Sequence, residues 1–239
     1  GMIMIGSGAS TVGRGGSIAM TVGSGTSGVG GYLRLQAGRI DHHTGGALTI
    51  ESGEGSVSTS GMMSLRTLNG GAEGVSGKMV FSSGTTGSGN SGALYVGTGA
   101  AAGGKGGLIS VAVGTGNLGA GGGVFLYAGE ATEASSTGGA ISVAAGASTG
   151  GTAGVGGSLY VAGGEGKSWT GGSIAINSGV GVDTTSGSLK IMTMNAGSSA
   201  TPTAGASGML VFSSGTTSKG NSGMIMIGSG ASTVGRGGS

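Results

Sequence analysis

Gly1–Ser17, GMIMIGSGASTVGRGGS, returns letter for letter as Gly223–Ser239, a 222-residue offset, so the chain reads as one window of a longer array. Its opening GMIMI also sets a shorter beat. A Gly-Gly or Ser-Gly step followed by an alternating apolar run recurs about every 15 residues, and such internal repetition outranks other sequence signals. Repeats begin at Gly1, Gly16, Gly31, Gly46, Gly61, Gly77, Gly92, Gly107, Gly123, Gly139, Gly157, Gly172, Gly187 and Gly208. The pattern restarts at Gly223, which gives 14 repeats per 222-residue period, and each later start follows a Gly or a Ser.

The third and fifth positions of every repeat hold large apolar or aromatic side chains. Ile3 and Ile5, Ile18 and Met20, Leu33 and Leu35, Leu94 and Val96, Ile174 and Ile176, and Leu210 and Phe212 represent this ladder of core candidates. Residues two apart share one side of an extended chain, whereas a helix would require spacings of three and four. Each repeat is therefore expected to supply one short strand. Most repeats carry another glycine at the eighth position, as at Gly8, Gly23, Gly38 and Gly53, where a corner is expected because glycine accepts positive φ freely. The rest of each repeat is small and polar, fit for a thin return segment.

Stacking such units predicts an all-β fold, a parallel β-solenoid (β-helix) of about 15-residue coils with 14 coils per 222-residue super-repeat. Residues 1–239 would form a single continuous solenoid, with 1–222 as one super-repeat and 223–239 as the start of the next. At a strand spacing of about 4.8 Å, one super-repeat would advance a rod by about 67 Å. One coil buries too little apolar surface to fold alone, so stability must come from stacked neighbours. Longer repeats take their extra residues after the strand, most of all the repeat at Gly187, whose tail Ala196–Ser207 holds the lone Pro202. Ser76–Ala100 and Ser207–Ala231 form a further near-repeat that shares VFSSGTT.

The second and fourth positions face the other way and are also rich in apolar groups: Met2, Met4, Tyr32, Tyr95, Leu126, Tyr160, Met209 and Val211 among them. Arg34, Lys78 and Lys190 are the only charges there. A solvated sheet face alternates apolar with polar, while one covered on both sides reads as near-continuous apolar runs such as GVFLY or GMLVF. This face is a candidate lateral contact between copies, and scattered exposed apolar groups are the plainer alternative.

Composition narrows the rest. Gly supplies 65 of 239 residues, yet one Pro and no three-residue register exclude collagen. A flexible Gly/Ser linker would not carry apolar residues at fixed spacing. With no cysteine, neither disulfides nor thiolate metal sites exist. A net charge of +2 from scattered single residues argues against a nucleic-acid partner, and no run suffices for a membrane span.

Chemical motifs dissolve on inspection. Gly114-Thr115-Gly116-Asn117-Leu118-Gly119 fits a dinucleotide fingerprint, but no helix-forming stretch follows, and Gly23–Gly28 fits it equally well. Around Gly163–Ser168 a P-loop would need its first glycine at Val161, inside the apolar run. Calcium-binding turns need repeated aspartates, and only Asp41 and Asp183 are present. Asp41-His42-His43 reads as a solvated turn, and with both histidines together no catalytic constellation can be assembled. No enzyme activity, cofactor or metal is expected. No Asn-x-Ser/Thr acceptor occurs, which leaves only the many hydroxyls as candidate sugar sites.

The units written SG-x-Φ-x-Φ-x-x-G, as in Ser207-Gly208-Met209-Leu210-Val211-Phe212-Ser213-Ser214-Gly215, resemble those of very long Gly/Ser-rich repeat proteins predicted from genomes of diatoms, related algae and water moulds. That resemblance spans the chain and implies a secreted or cell-surface fibrous role. The expectation is a structural extracellular fibre protein whose partner is a further copy of itself. The alternative is an adhesion rod that binds polysaccharide, mineral or ice; ice would favour outward threonines, and only Thr49 occupies a fourth position.

Overall fold

A β-sheet exists only where backbone amides and carbonyls find partners on a neighbouring strand. In the computed structural model, which describes residues 1–149, 154–197, 205–236 and 238, that pairing is missing: the described residues contain no helix and no strand. The expected all-β, parallel β-solenoid or β-helix is therefore overturned, and the chain is a largely irregular coil with local structure that repeats. Nine backbone-to-backbone hydrogen bonds tie the described residues together, where an ordered domain carries about one internal hydrogen bond per residue. The physical reason lies in the composition. Fixing a glycine backbone costs more conformational entropy than fixing any other, and two mid-sized apolar side chains per repeat cover little surface in return.

What the repeat does form is a closed loop. Seven of the nine hydrogen bonds run from the N–H of a repeat's first glycine to a glycine carbonyl late in the preceding arm. Gly16 donates to Gly8, Gly46 to Gly38, Gly61 to Gly53, Gly172 to Gly164 and Gly187 to Gly179, at 2.8–3.1 Å. Gly139 donates to Gly129 and Gly157 to Gly146, both at 2.9 Å, across longer loops. Both bonds close on the first glycine of the next repeat, as in the shorter repeats. In the tail of the Gly187 repeat, residues 198–204, Pro202 among them, lie outside the described residues.

Between the closure points the chain bends at 11–13, 26–28, 41–43, 56–58, 87–89, 102–104, 167–169, 182–184, 218–220 and 233–235, the eleventh to thirteenth positions of their repeats. In the longer repeat at Gly61 the turn comes one place later, at 72–74. In six repeats φ turns positive at the thirteenth position, at Gly13, Gly28, Gly89, Gly119 and Gly220, and at Ser135 with φ 68°, and it is also positive at Gly197. The corner expected at the eighth glycine therefore sits three to five residues further on. The eighth residue is a hydrogen-bond acceptor instead, and a Cβ added at Gly8, Gly38 or Gly53 would meet open space.

The chain divides into two units, Gly1–Ala112 and Val113–Ser239. The first contains the closures from Gly16, Gly46 and Gly61, and the second those from Gly139, Gly157, Gly172 and Gly187. In the second, the rings of Phe125 and Tyr127 stack with centroids 6.2 Å apart and planes 5° from parallel. Third- and fifth-position side chains there share one side of the arm, as their spacing implies.

Candidate interaction surface

Each repeat begins at a crossing. The first glycine of one repeat lies against the seventh residue of the one before, so close that a Cβ at Gly16 would sit 2.8 Å from Cβ of Ser7. A Cβ at Gly31 would sit 2.6 Å from Cγ1 of Val22, and at Gly107 2.9 Å from Cγ2 of Thr98. No side chain fits at these three starts, whereas a Cβ at Gly92, Gly208 or Gly223 would make ordinary contact at 3.5–4.0 Å. Two crossings gain a further bond, since the hydroxyls of Ser7 and Thr98 donate to the carbonyls of Gly16 and Gly107 at 2.9 and 3.4 Å. A second tight point lies inside the loop: a Cβ at Gly55 or Gly181 would meet the carbonyl oxygen of Thr59 or Thr185 at 2.5 Å.

Sequence reasoning missed the crossing, although its signal was present. The seventh position is Ser, Thr, Ala, Val or Gly in every repeat, from Ser7, Val22 and Ala37 to Ser214 and Ser229. Ala37 and Ser214 are also two of the few described residues that are not fully exposed.

The bends form the polar margin. Twelve of the 18 charged residues fall in the ninth to fourteenth positions, among them Arg14, Arg39, Asp41, Glu133, Lys167 and Lys219. Arg39 and Asp41 pair at 2.8 Å, both exposed, a contact worth no more than about 1 kcal/mol in water. His42 and His43 follow in the same bend, and among the described residues no three His, Cys, Asp or Glu side chains converge on one point. The hydroxyls of Thr86 and Thr217 donate to the carbonyls of Ser88 and Lys219 at 3.0 and 2.9 Å. The near-repeat seen in the sequence is thus repeated in its local bonding.

The arms form the apolar surface. None of the core candidates is buried: Ile3, Ile5, Ile18, Met20, Leu33, Leu35, Leu94, Val96, Ile174, Ile176, Leu210 and Phe212 are all exposed, most at about half to two-thirds of their area. They line an open stripe, with no enclosed interior among the described residues. Of the second- and fourth-position groups, Met2, Met4, Tyr32, Tyr95, Tyr160 and Met209 are at least 80% exposed, while Leu126 and Val211 match the stripe. In the first unit, three successive arms bring the stripe together as a groove of about 840 Å³, lined by Met63, Leu65, Phe81, Leu94, Tyr95, Val96 and Gly97. A polar hollow of about 610 Å³ lies in the loop from Ser214 to Ser222 of the second unit, without a charged residue in its lining.

The accessible surface totals 23813 Å². A folded monomer of 21.9 kDa exposes about 9,300 Å² and the fully unfolded chain about 32,000 Å². The isolated chain thus leaves most of its surface, apolar stripes included, open to water. No helix among the described residues is long and apolar enough to cross a membrane. No protein-family model, no curated protein and no solved structure matches this chain.

Proposed function

We propose that this chain is a structural protein of an extracellular fibre, in which copies associate through their apolar stripes while the polar bends stay wet. The observation that carries this reading is the area: the chain exposes 23813 Å², with every third- and fifth-position side chain of the ladder uncovered. Monomeric soluble proteins rarely keep apolar patches above about 300–600 Å², and larger ones mark contact surfaces. Association through many equivalent repeats supplies the covering that one chain lacks. It also explains why charge gathers at the bends, where it would not be desolvated on assembly.

Sedimentation velocity and negative-stain electron microscopy across a concentration series test the reading. Elongated assemblies whose share grows with concentration are expected; a monomer at every concentration refutes it. The competing role, adhesion to polysaccharide or mineral, draws on the exposed rings of Tyr32, Tyr95, Tyr160 and Trp169. Co-sedimentation with cell-wall glycan or silica below the assembly threshold separates the two roles.

A further inference from the structure

Of the asparagines in the chain, Asn69 alone is followed by glycine; Asn90, Asn177 and Asn221 precede Ser, Asn117 precedes Leu118 and Asn195 precedes Ala196. The difference is chemical. The amide nitrogen that follows an asparagine can close a five-membered ring on the side-chain carbon Cγ, and a Cβ on the following residue obstructs that approach. Gly70 has no Cβ and reaches backbone conformations that other residues avoid. Asn69 and Gly70 stand exposed just ahead of the turn at 72–74. Among the described residues, neither the Asn69 carboxamide nor the Gly70 N–H takes part in a hydrogen bond. The local closure begins one residue later, where Gly74 donates to the Gly71 carbonyl at 3.2 Å. Asn69 also lines, with Arg66, Thr67 and Leu68, a hollow of about 400 Å³, ample for water.

We infer that Asn69–Gly70 is a self-modification site, at which the chain converts its own asparagine into aspartate and isoaspartate with water as the only co-reactant. Hydroxide takes the proton of the Gly70 amide, whose nitrogen then bonds to Cγ of Asn69. The bond from Cγ to the side-chain nitrogen breaks, and ammonia leaves with a proton from water. Water next adds to one carbonyl of the resulting succinimide and opens the ring. Cleavage at Cγ gives aspartate, and cleavage at the main-chain carbonyl gives isoaspartate, in which the chain runs through the side-chain carbon. Either product adds a carboxylate, so the formal net charge falls by one from +2. Isoaspartate also lengthens the main chain inside a crowded loop. A Cβ at Gly70 would sit 2.8 Å from the carbonyl carbon of Val75, and one at Gly77 would sit 3.2 Å from Cγ2 of Thr67, so the modified bond lies between the two sides of a crossing.

The test holds the full chain at mildly alkaline pH, digests it in acid and reads the peptides by mass spectrometry with electron-transfer fragmentation, which separates isoaspartate from aspartate. Asn69 is expected to convert about five times as fast as Asn90 or Asn221, or faster, because serine follows both of those. Isoaspartate should be the larger product, and the rate should rise with hydroxide concentration. Because no local order holds the two groups, the rate in the native chain should match that in guanidinium within about twofold. Asn69→Gln, which would need a less favourable six-membered ring, should abolish the conversion without placing a Cβ at Gly70. Equal rates at the three asparagines would overturn the inference. So would aspartate without isoaspartate, which marks direct hydrolysis, or a native rate about tenfold or more below the denatured one, which would mean that the loop protects the bond.

Discussion

The stretch Gly1–Ser17 and its copy Gly223–Ser239 share one sequence but have different neighbours, and the contrast separates the two sides of an arm. Within residues 1–239 the first copy has a repeat on its C-terminal side and the second a repeat on its N-terminal side. Ile3 is 90% exposed and its counterpart Ile225 only 53%, whereas Ile5 is 77% exposed and Ile227 90%. The outward methionines do not register the difference. The third-position side chain is therefore sheltered mainly by the repeat before it and, to a smaller degree, the fifth by the repeat after it. Neighbouring repeats touch along one stripe even though no backbone ladder joins them.

The crossing glycines offer the most forceful way to break that contact. In the loop that starts the repeat at Gly46, a Cβ at Gly46 would lie 3.1 Å from the amide nitrogen of Gly38 and 3.4 Å from Cβ of Ala37. Gly38 itself faces open space. Gly46→Val should open the closure and uncover Leu48, while Gly38→Val should leave both unchanged. The net value of one such hydrogen bond, about 1 kcal/mol, corresponds to roughly fivefold faster amide exchange at residue 46. Hydrogen exchange of dilute chain read by NMR gives the answer. Equal exchange in the two variants would mean that the crossing does not hold the loop.

These two glycines also show how far the sequence could be read. Alternation at Ile3 and Ile5, or Phe125 and Tyr127, reports which side chains share a side of an extended chain, and the stacked rings agree. It does not report whether that chain has a hydrogen-bonded partner, because backbone groups are the same in every residue but proline. The step from alternation to stacked strands therefore rests on an assumption about pairing, and pairing is where the structure differs. The eighth glycine draws the corner to itself by its constancy. The actual bend at 11–13 is written in a changing vocabulary, Thr11-Val12-Gly13 in one repeat and Asp41-His42-His43 in another. The crossing is legible in the small residues of the seventh position, but only once the first position is known to lie against it.

A smaller effect sharpens the comparison of the two copies. Deleting Met209–Phe212 and restoring the length with four glycines removes the apolar arm that shelters Ile225 without seating another repeat in its place. In an Ile225→Cys background, thiol labelling of dilute chain should then speed up toward the level set by 90% exposure, from that set by 53%. Labelling at Met224→Cys should not respond to the same deletion. If both sites accelerate together, the shelter belongs to general collapse and not to the third position.

The smallest effect needs no substitution. Met62 and Met63 are adjacent, so local sequence, temperature and peroxide concentration act on them alike, yet Met62 points outward at 87% exposure and Met63 into the groove at 47%. Oxidation to the sulfoxide follows access to the sulfur, so Met62 should react roughly twice as fast in dilute chain, read by peptide mass spectrometry. On assembly the gap should widen as a partner covers the groove, with Met63 slowing more than Met62. A ratio that stays near one in both states would erase the distinction between the two sides of the arm, and with it the stripe on which association is proposed to depend.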